Sequence, residues 1–241
     1  MYNIPILLDI HTHCLSSGHA THDTITDMAR AASGRSLQIL GISDHGPATP
    51  GAAGSSYFRN LLLADRKKFG LQLLYGAELN ILNEEGDVDL EDSLIESLDY
   101  AFISMHHPVF SCGTVYSNTS AYINAMHHPG VRFLGHPDDG RFPVDYGRLL
   151  AAAKENHVYP EINNASLMPD AYRQDGLRHS IQILCLCKKL RLPVLLSSDS
   201  HGKDHIGDMQ YIFPLLEQCD FPSDLIINRD PALLRQILKL S

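Results

Sequence analysis

Residues 6–13 read Ile6-Leu7-Leu8-Asp9-Ile10-His11-Thr12-His13. A short apolar run gives way to two histidines separated by one residue. The run is too short for an independent helix and reads as a buried strand. In an extended segment, residues i and i+2 point to the same side, so His11 and His13 can grip one ion. The pattern then repeats along the chain. The apolar run at 37–42 is followed by Asp44-His45, and the run at 71–78 ends in Glu78. The runs at 100–104 and 131–135 are followed by His106 and His136, and the run at 194–197 by Asp199 and His201. His19 follows the first run at a short distance.

Between these runs lie segments with helical character. The spacing predicts helices over 24–32 (capped by Asp23 or Thr24), 60–69, around 121–126, and over 146–155 and 176–190. Two more are predicted over 209–219 and 231–240, the last with Pro231 in its first turn. A further strand is predicted over 158–162, making seven with 6–10, 37–42, 71–78, 100–104, 131–135 and 194–197. Repeated strand–helix units imply a mostly parallel sheet, closed or nearly closed as a barrel. The expected fold is therefore α/β, with seven strands rather than the regular eight. One domain over 1–241 is expected, because α/β barrels reach this length as single units. The Gly-, Ala-, Pro- and Ser-rich stretch 46–56 reads as an active-site loop.

Composition narrows the class. The chain is 44% hydrophobic and 20% charged, as expected for a globular protein with a real core. No apolar run reaches the length of a membrane span. The start, Met1-Tyr2-Asn3-Ile4-Pro5, lacks the basic region of a secretory signal, so a cytoplasmic location is expected. The net charge of -9 argues against a stable nucleic-acid complex. Three divalent ions set against Glu78 and Asp199 would still leave a locally positive, anion-binding site. The five cysteines, odd in number and without a CxxC pair, read as reduced and mostly buried thiols.

The decisive pattern is chemical. His11, His13, His19, His45, Glu78, His106, His136, Asp199 and His201 are expected to converge at one face, where barrel strands end. A lone histidine at a strand end is ordinarily a packed or surface residue. Here nearly every strand end carries a ligand-type residue, which favours metal binding. Imidazole and carboxylate donors suit Zn²⁺, and Mn²⁺ or Fe²⁺ would tolerate the same set. So many donors exceed one tetrahedral ion and suit two or three, with Glu78 bridging.

Several motifs carry a resemblance over essentially the whole chain. They are Asp9-Ile10-His11-Thr12-His13, Ser17-Gly18-His19-Ala20, Ser43-Asp44-His45-Gly46-Pro47 and Gly76-Ala77-Glu78-Leu79-Asn80. Further along stand His106, Pro108-Val109-Phe110, Gly135-His136-Pro137, Glu161-Ile162-Asn163-Asn164-Ala165-Ser166 and Ser198-Asp199-Ser200-His201. With these the chain resembles the polymerase-and-histidinol-phosphatase (PHP) superfamily, and within it the bacterial YcdX-type phosphatases. The resemblance implies a distorted seven-stranded (β/α)7 barrel and a trinuclear centre, usually zinc. Carried over by position, it assigns His11, His13, Glu78 and Asp199 to the first ion. The second takes His19, His45 and His201, and the third takes the bridging Glu78 with His106 and His136. Departures lie beside the ligands. His107 stands where the pattern usually has Glu, Cys14 where it has a hydroxyl residue, and Asp138-Asp139-Gly140-Arg141 replaces a Gly-Asn-rich stretch.

The implied activity is hydrolysis of a small-molecule phosphate monoester by a metal-activated hydroxide. Arg178, opening a long helix, is the expected phosphate clamp, with Arg141 and Asn118 as weaker candidates. Asp9 and Asp44 are expected to orient ligand histidines. His107 is the candidate proton donor to the leaving alkoxide. A homo-oligomer is expected by family analogy alone. The alternatives are a phosphodiesterase or nuclease of the same superfamily, a histidinol-phosphate phosphatase, and a non-catalytic metal-binding module.

Overall fold

The computed structural model describes residues 4–240, so Met1–Asn3, part of the segment read for targeting, lie outside the described residues. The strands are β1 (Leu8–Asp9), β2 (Thr12–His13), β3 (Ile39–Ile42), β4 (Lys67–Lys68), β5 (Leu71–Asn80), β6 (Tyr100–Ser104), β7 (Val131–Leu134), β8 (Tyr159–Asn163), β9 (Leu195–Ser197) and β10 (Ser200–His201). The helices are α1 (Ile25–Gly34), α2 (Ser55–Leu61), α3 (Asp92–Ser97), α4 (Val115–Ala125), α5 (Tyr146–Glu155), α6 (Gly176–Leu190), α7 (Ile212–Gln218) and α8 (Pro231–Leu238).

Seven strands pair in the order β1-β3-β5-β6-β7-β8-β9, each parallel to its neighbour, and curl into a nearly closed (β/α)7 barrel. The seam between β9 and β1 is not a strand ladder. It is filled by residues 226–228. Ile226 bridges Val194, and the buried Asn228 amide accepts from Leu196 N at 2.7 Å. The same amide donates to Leu196 O at 2.7 Å and to Leu8 O at 3.0 Å, while Leu7 N donates to Asn228 O at 3.0 Å. One side chain thus satisfies backbone groups on both edges, which burial would otherwise leave unpaired at a cost.

Apolar residues fill the interior. Leu8, Ile39, Leu74, Phe102, Phe133 and Leu195 form one cluster, and α8 plugs it with Leu234, Ile237 and Leu238. Tyr100 lies in the same layer and donates to Ile10 O at 2.6 Å. Its ring explains two glycines: a Cβ on Gly41 would lie 2.3 Å from the Tyr100 hydroxyl, and one on Gly76 would lie 2.6 Å from the ring. A larger cluster outside the barrel joins the helices to the sheet.

Most predicted elements are present, α5 and α6 with the expected bounds. Thr24 caps α1, with Asp27 completing a capping box. The helix predicted over 60–69 is not there. The chain forms α2 earlier, then a β4–β5 hairpin whose turn residues Phe69 and Gly70 both have positive φ, 50° and 82°. Two successive positive-φ residues fit a type I′ turn, which overrides the helical spacing. The six-residue α3 was not expected, and α4 begins earlier than 121 because Thr114 and Ser117 form a capping box. Of the five free cysteines only Cys14 and Cys187 are buried, so the expectation of mostly buried thiols is corrected. Among the described residues no helix is long and apolar enough to cross a membrane.

Candidate metal centre

The strand ends deliver the donors to one place. β2 pairs in parallel with β10, so His13 lies directly beside His201, with ring centroids 4.2 Å apart. An isolated parallel bridge sets His45 opposite Glu78. His106 follows β6, His136 follows β7 and Asp199 follows β9. His11, His13, His45, Glu78, His106, His136 and Asp199 are buried; His201 is half-buried and His19 exposed. The His19 ring nevertheless sits 4.9 Å from both His45 and His201. All nine residues therefore belong to one contiguous cluster.

Glu78 is its centre. Its Oε2 lies 3.5 Å from His11 Nε2, 3.6 Å from His13 Nε2 and 2.7 Å from His45 Nδ1. Its Oε1 lies 3.2 Å from His106 Nε2 and 2.8 Å from His136 Nε2. Asp199 Oδ1 lies 3.2 Å from His13 Nε2 and 3.8 Å from His11 Nε2. The buried atoms His11 Nε2, His13 Nε2, His45 Nδ1, Glu78 Oε2, His136 Nδ1 and His201 Nε2 make no hydrogen bond of proper geometry, even where His45 Nδ1 approaches Glu78 Oε2 to 2.7 Å. Unpaired buried polar atoms are costly unless something else binds them. Ligand bonds of about 2.0–2.2 Å give tetrahedron edges of about 3.3–3.6 Å. The spacings among His11, His13, Glu78 and Asp199 bracket that edge, so these donors fit an ion. Among the described residues three triads have donor atoms all within 4.8 Å of one another: His13 with His45 and His201, His11 with His13 and Glu78, and His45 with Glu78 and His106.

Most protonation states suit the same role, since a metal needs neutral imidazole and ionised carboxylate. His11 differs: its burial is outweighed by Glu161, Glu78 and Asp199, which hold it well above the usual imidazole range, so it must shed a proton to bind an ion. Burial pushes His106 and His201 down to about 4. Burial and the neighbouring His201 and His45 hold His13 well below the usual imidazole range. Burial disfavours ionised Glu78, but His106, His45 and His11 outweigh it and hold the carboxyl well below its ordinary value. Asp199 is likewise held low against its burial, first by Arg173 and then by His11 and His13.

A second layer of hydrogen bonds fixes these side chains. Glu161 Oε1 accepts from His11 Nδ1 at 2.6 Å and Oε2 accepts from the backbone N of His136 at 2.6 Å. Ser197 Oγ also donates to Glu161. Glu161 therefore sets two ligands at once, and it secures His136 in a backbone conformation with φ 25°. Asn80 Oδ1 pairs with His106 Nδ1 at 2.8 Å, and Asp89 Oδ2 accepts from the Asn80 amide at 2.6 Å. Asp44 accepts from Ser17 Oγ at 2.7 Å, and Ser17 meets His13 Nδ1 at 2.9 Å, so Asp44 acts on a histidine through a hydroxyl. Asp44 also accepts from Cys14 Sγ at 2.9 Å and Tyr57 Oη at 2.5 Å. Asp9 touches no ligand imidazole. It accepts from Ser198 Oγ at 2.5 Å and Gly207 N at 2.7 Å, pinning the loop around Asp199.

The cluster opens into a cleft of about 520 Å³ lined by His19, His45, His106, Asp199 and His201 on the metal side. His107, His205 and Thr49 of the 46–56 loop also line it. Arg178 is exposed on α6 and lines a neighbouring groove that shares Met168, Ala171 and Arg173 with the cleft, but it is not itself a cleft-lining residue. Arg141 is held by Asp139, with Nε 2.9 Å from Oδ1, and Asn118 donates to Pro143 O at 3.0 Å. Neither Arg141 nor Asn118 is among the cleft-lining residues. The guanidinium in the cleft is that of Arg173, with a side chain only 4% exposed and Nη2 2.6 Å from Asp199 Oδ2. Sequence reasoning assigned no role to Arg173 or Glu161. A carboxylate inside the apolar strand run at 158–162 was a readable signal for Glu161, because burying one without partners is costly. Arg173 lies in a loop and gave none.

No family model matches the chain. Similar sequences are probable phosphatases. That of Clostridium novyi is 36% identical, covering 97% of this chain and 94% of its own length. That of Clostridium acetobutylicum is 37% identical over the same shares, and that of Caldicellulosiruptor saccharolyticus is 35% identical over 98% of each chain. Among solved structures, the histidinol phosphate phosphatase of Lactococcus lactis, complexed with zinc, L-histidinol and phosphate, aligns with a TM-score of 0.64 at 15% identity. That match covers 90% of this chain and 95% of the other. A chain of archaeal ribonuclease P with mature tRNA aligns with a TM-score of 0.59 at 16% identity, covering 96% and 90%. Both structural matches concern the fold.

Proposed function

The chain belongs to the family of these bacterial probable phosphatases, and from that premise we propose that it is a metal-dependent phosphatase of PHP type hydrolysing small phosphate monoesters. The observation that carries this reading is the carboxylate of Glu78, whose two oxygens face imidazoles on opposite sides within a set of unpaired buried donors. That arrangement supports a bridged, multinuclear centre.

We assign His11, His13, Glu78 and Asp199 to one ion, His19, His45 and His201 to a second, and Glu78, His106 and His136 to a third. Zinc fits this donor set, and Mn²⁺ or Fe²⁺ would be tolerated. When bound, such ions supply Lewis acidity and make a water nucleophilic near neutral pH. The chain's own residues do the rest. Glu161, Asn80 and Ser17 hold His11, His106 and His13 in fixed orientations, so the donors need no reorganisation. Arg173 grips Asp199 through Nη2, while its buried Nε has no partner. Arg173 lines the cleft and Arg178 does not, which makes Arg173 better placed to face the reacting phosphate. In hydrolysis the oxygen of water bonds to phosphorus as the ester P–O bond breaks. The alcohol leaves with a proton, for which His107 at the cleft wall is the candidate donor. A cytoplasmic location and a homo-oligomeric state are part of the same proposal.

The test is elemental analysis of gently purified protein alongside hydrolysis of an aryl phosphate by the same sample. Two to three ions per chain with turnover, and loss of turnover in His11→Ala, are expected. Activity surviving that substitution would refute the mechanism. A full metal complement without turnover on any ester would favour a binding module instead.

A further inference from the structure

On the phosphatase reading above, we infer that the cleft selects monoesters whose alcohol portion is compact, apolar and free of a second anionic group. The argument starts from volume. About 520 Å³ suits a small ligand and not a polymer. One wall carries the metal donors. The lining also carries an apolar share, Ala20, Ala165, Met168, Ala171 and Tyr172, beside the polar Thr49, Asp170 and His205.

Part of this apolar share is held in place. Tyr172 is 65% exposed, yet the Arg141 guanidinium stacks 4.6 Å from its ring centroid, and Asp139 holds that guanidinium in turn. Arg173, itself in the cleft, lies 5.3 Å from the same ring centroid, so two guanidiniums hold the Tyr172 ring in place at the cleft.

Charge supplies the second half. The cleft-lining residues include no lysine and a single arginine, Arg173. Its guanidinium already serves Asp199 at 2.6 Å, Ser166 Oγ at 3.2 Å and Asn163 Oδ1 at 3.3 Å. Among the described lining residues a carboxylate or second phosphate on the substrate would find no free guanidinium or ammonium, would compete with the reacting group for the imidazoles of His107 and His205, and would approach the exposed carboxylate of Asp170. The like charge of Asp170 disfavours such an anion.

Three alkyl esters test this with the metal-loaded enzyme: benzyl phosphate, O-phosphoethanolamine and 3-phosphoglycerate. The expected order of kcat/KM places 3-phosphoglycerate last, at least about tenfold below benzyl phosphate. Asp170→Lys should shrink the benzyl-to-glycerate ratio by about tenfold, and Asp170→Asn by less. The same order should appear without turnover when benzylphosphonate and 3-phosphonopropionate are compared by calorimetry. If 3-phosphoglycerate is hydrolysed as well as benzyl phosphate, or the ratio ignores Asp170→Lys, the selection is overturned while the phosphatase reading stands. If the loaded protein hydrolyses none of the three, both fall.

Discussion

Glu161→Gln changes one atom and should loosen the whole metal centre. The carboxylate accepts four hydrogen bonds: His11 Nδ1 at 2.6 Å and Ser197 Oγ on one oxygen, His136 N at 2.6 Å and the Asn163 amide at 3.1 Å on the other. An amide has one acceptor oxygen and one NH₂ group. Whichever way glutamine turns, its NH₂ confronts two donors, so one ligand histidine loses its support. Hydrogen bonds to charged groups contribute about 1.5–3 kcal/mol each. Part of that loss is shared by the apo and loaded states and cancels in metal affinity. The remainder should match the roughly 10–100-fold cost typical of losing an outer partner of a ligand histidine, about 1.4–2.7 kcal/mol. The assay is zinc titration of the apo protein against a chromophoric chelator, with thermal unfolding of the apo form as a fold control. Weaker zinc binding and a parallel fall in turnover are expected. Zinc affinity within threefold of wild type, in a variant with unchanged apo stability, would refute the positioning argument.

Three further outcomes are expected. Asn228→Ala strips partners from buried backbone groups on both sides of the barrel seam and should destabilise by about 3 kcal/mol in urea unfolding, with metal stoichiometry unchanged; a loss below about 0.5 kcal/mol would show that the seam closes without it. In metal-free protein, His201 holds its pKa near 4 while the unfolded chain protonates near 6.5, so unfolding takes up a proton between these values and stability falls as pH drops through that window. The contribution is about 1.4 kcal/mol per pH unit, and His201→Gln should flatten the measured stability–pH slope by that amount; identical slopes would contradict it. Arg173→Met leaves the buried Asp199 carboxylate without its ion pair and should destabilise the apo protein by about 3–5 kcal/mol, an effect zinc should partly reverse; equal losses with and without zinc would argue that Asp199 does not hold an ion.

Legibility differed by the range of the interaction. α5 and α6 were readable because apolar periodicity and their ends lie within one segment. The hairpin at Phe69-Gly70 was not, because a helical spacing competed with a turn signal and the turn prevailed. β2 and β10 are two residues each and exist through their pairing with one another across most of the chain. The ligand-type residues stood out because imidazoles and carboxylates closing apolar runs are a local, chemical pattern. Arg173 did not stand out, since its meaning comes from Asp199, 26 residues away in sequence and 2.6 Å away in space.

By itself, then, the sequence determined the alternation of seven apolar runs with helices, and it pointed to the imidazoles and carboxylates at their ends as candidate donors. Tertiary structure alone decided which donors face each other, which carboxylate stands behind them, how Asn228 closes the seam, and which arginine reaches the cleft. The physical reason is that hydrophobic periodicity is written in neighbouring residues, whereas hydrogen-bond direction and charge pairing depend on distances that exist only once the barrel has closed.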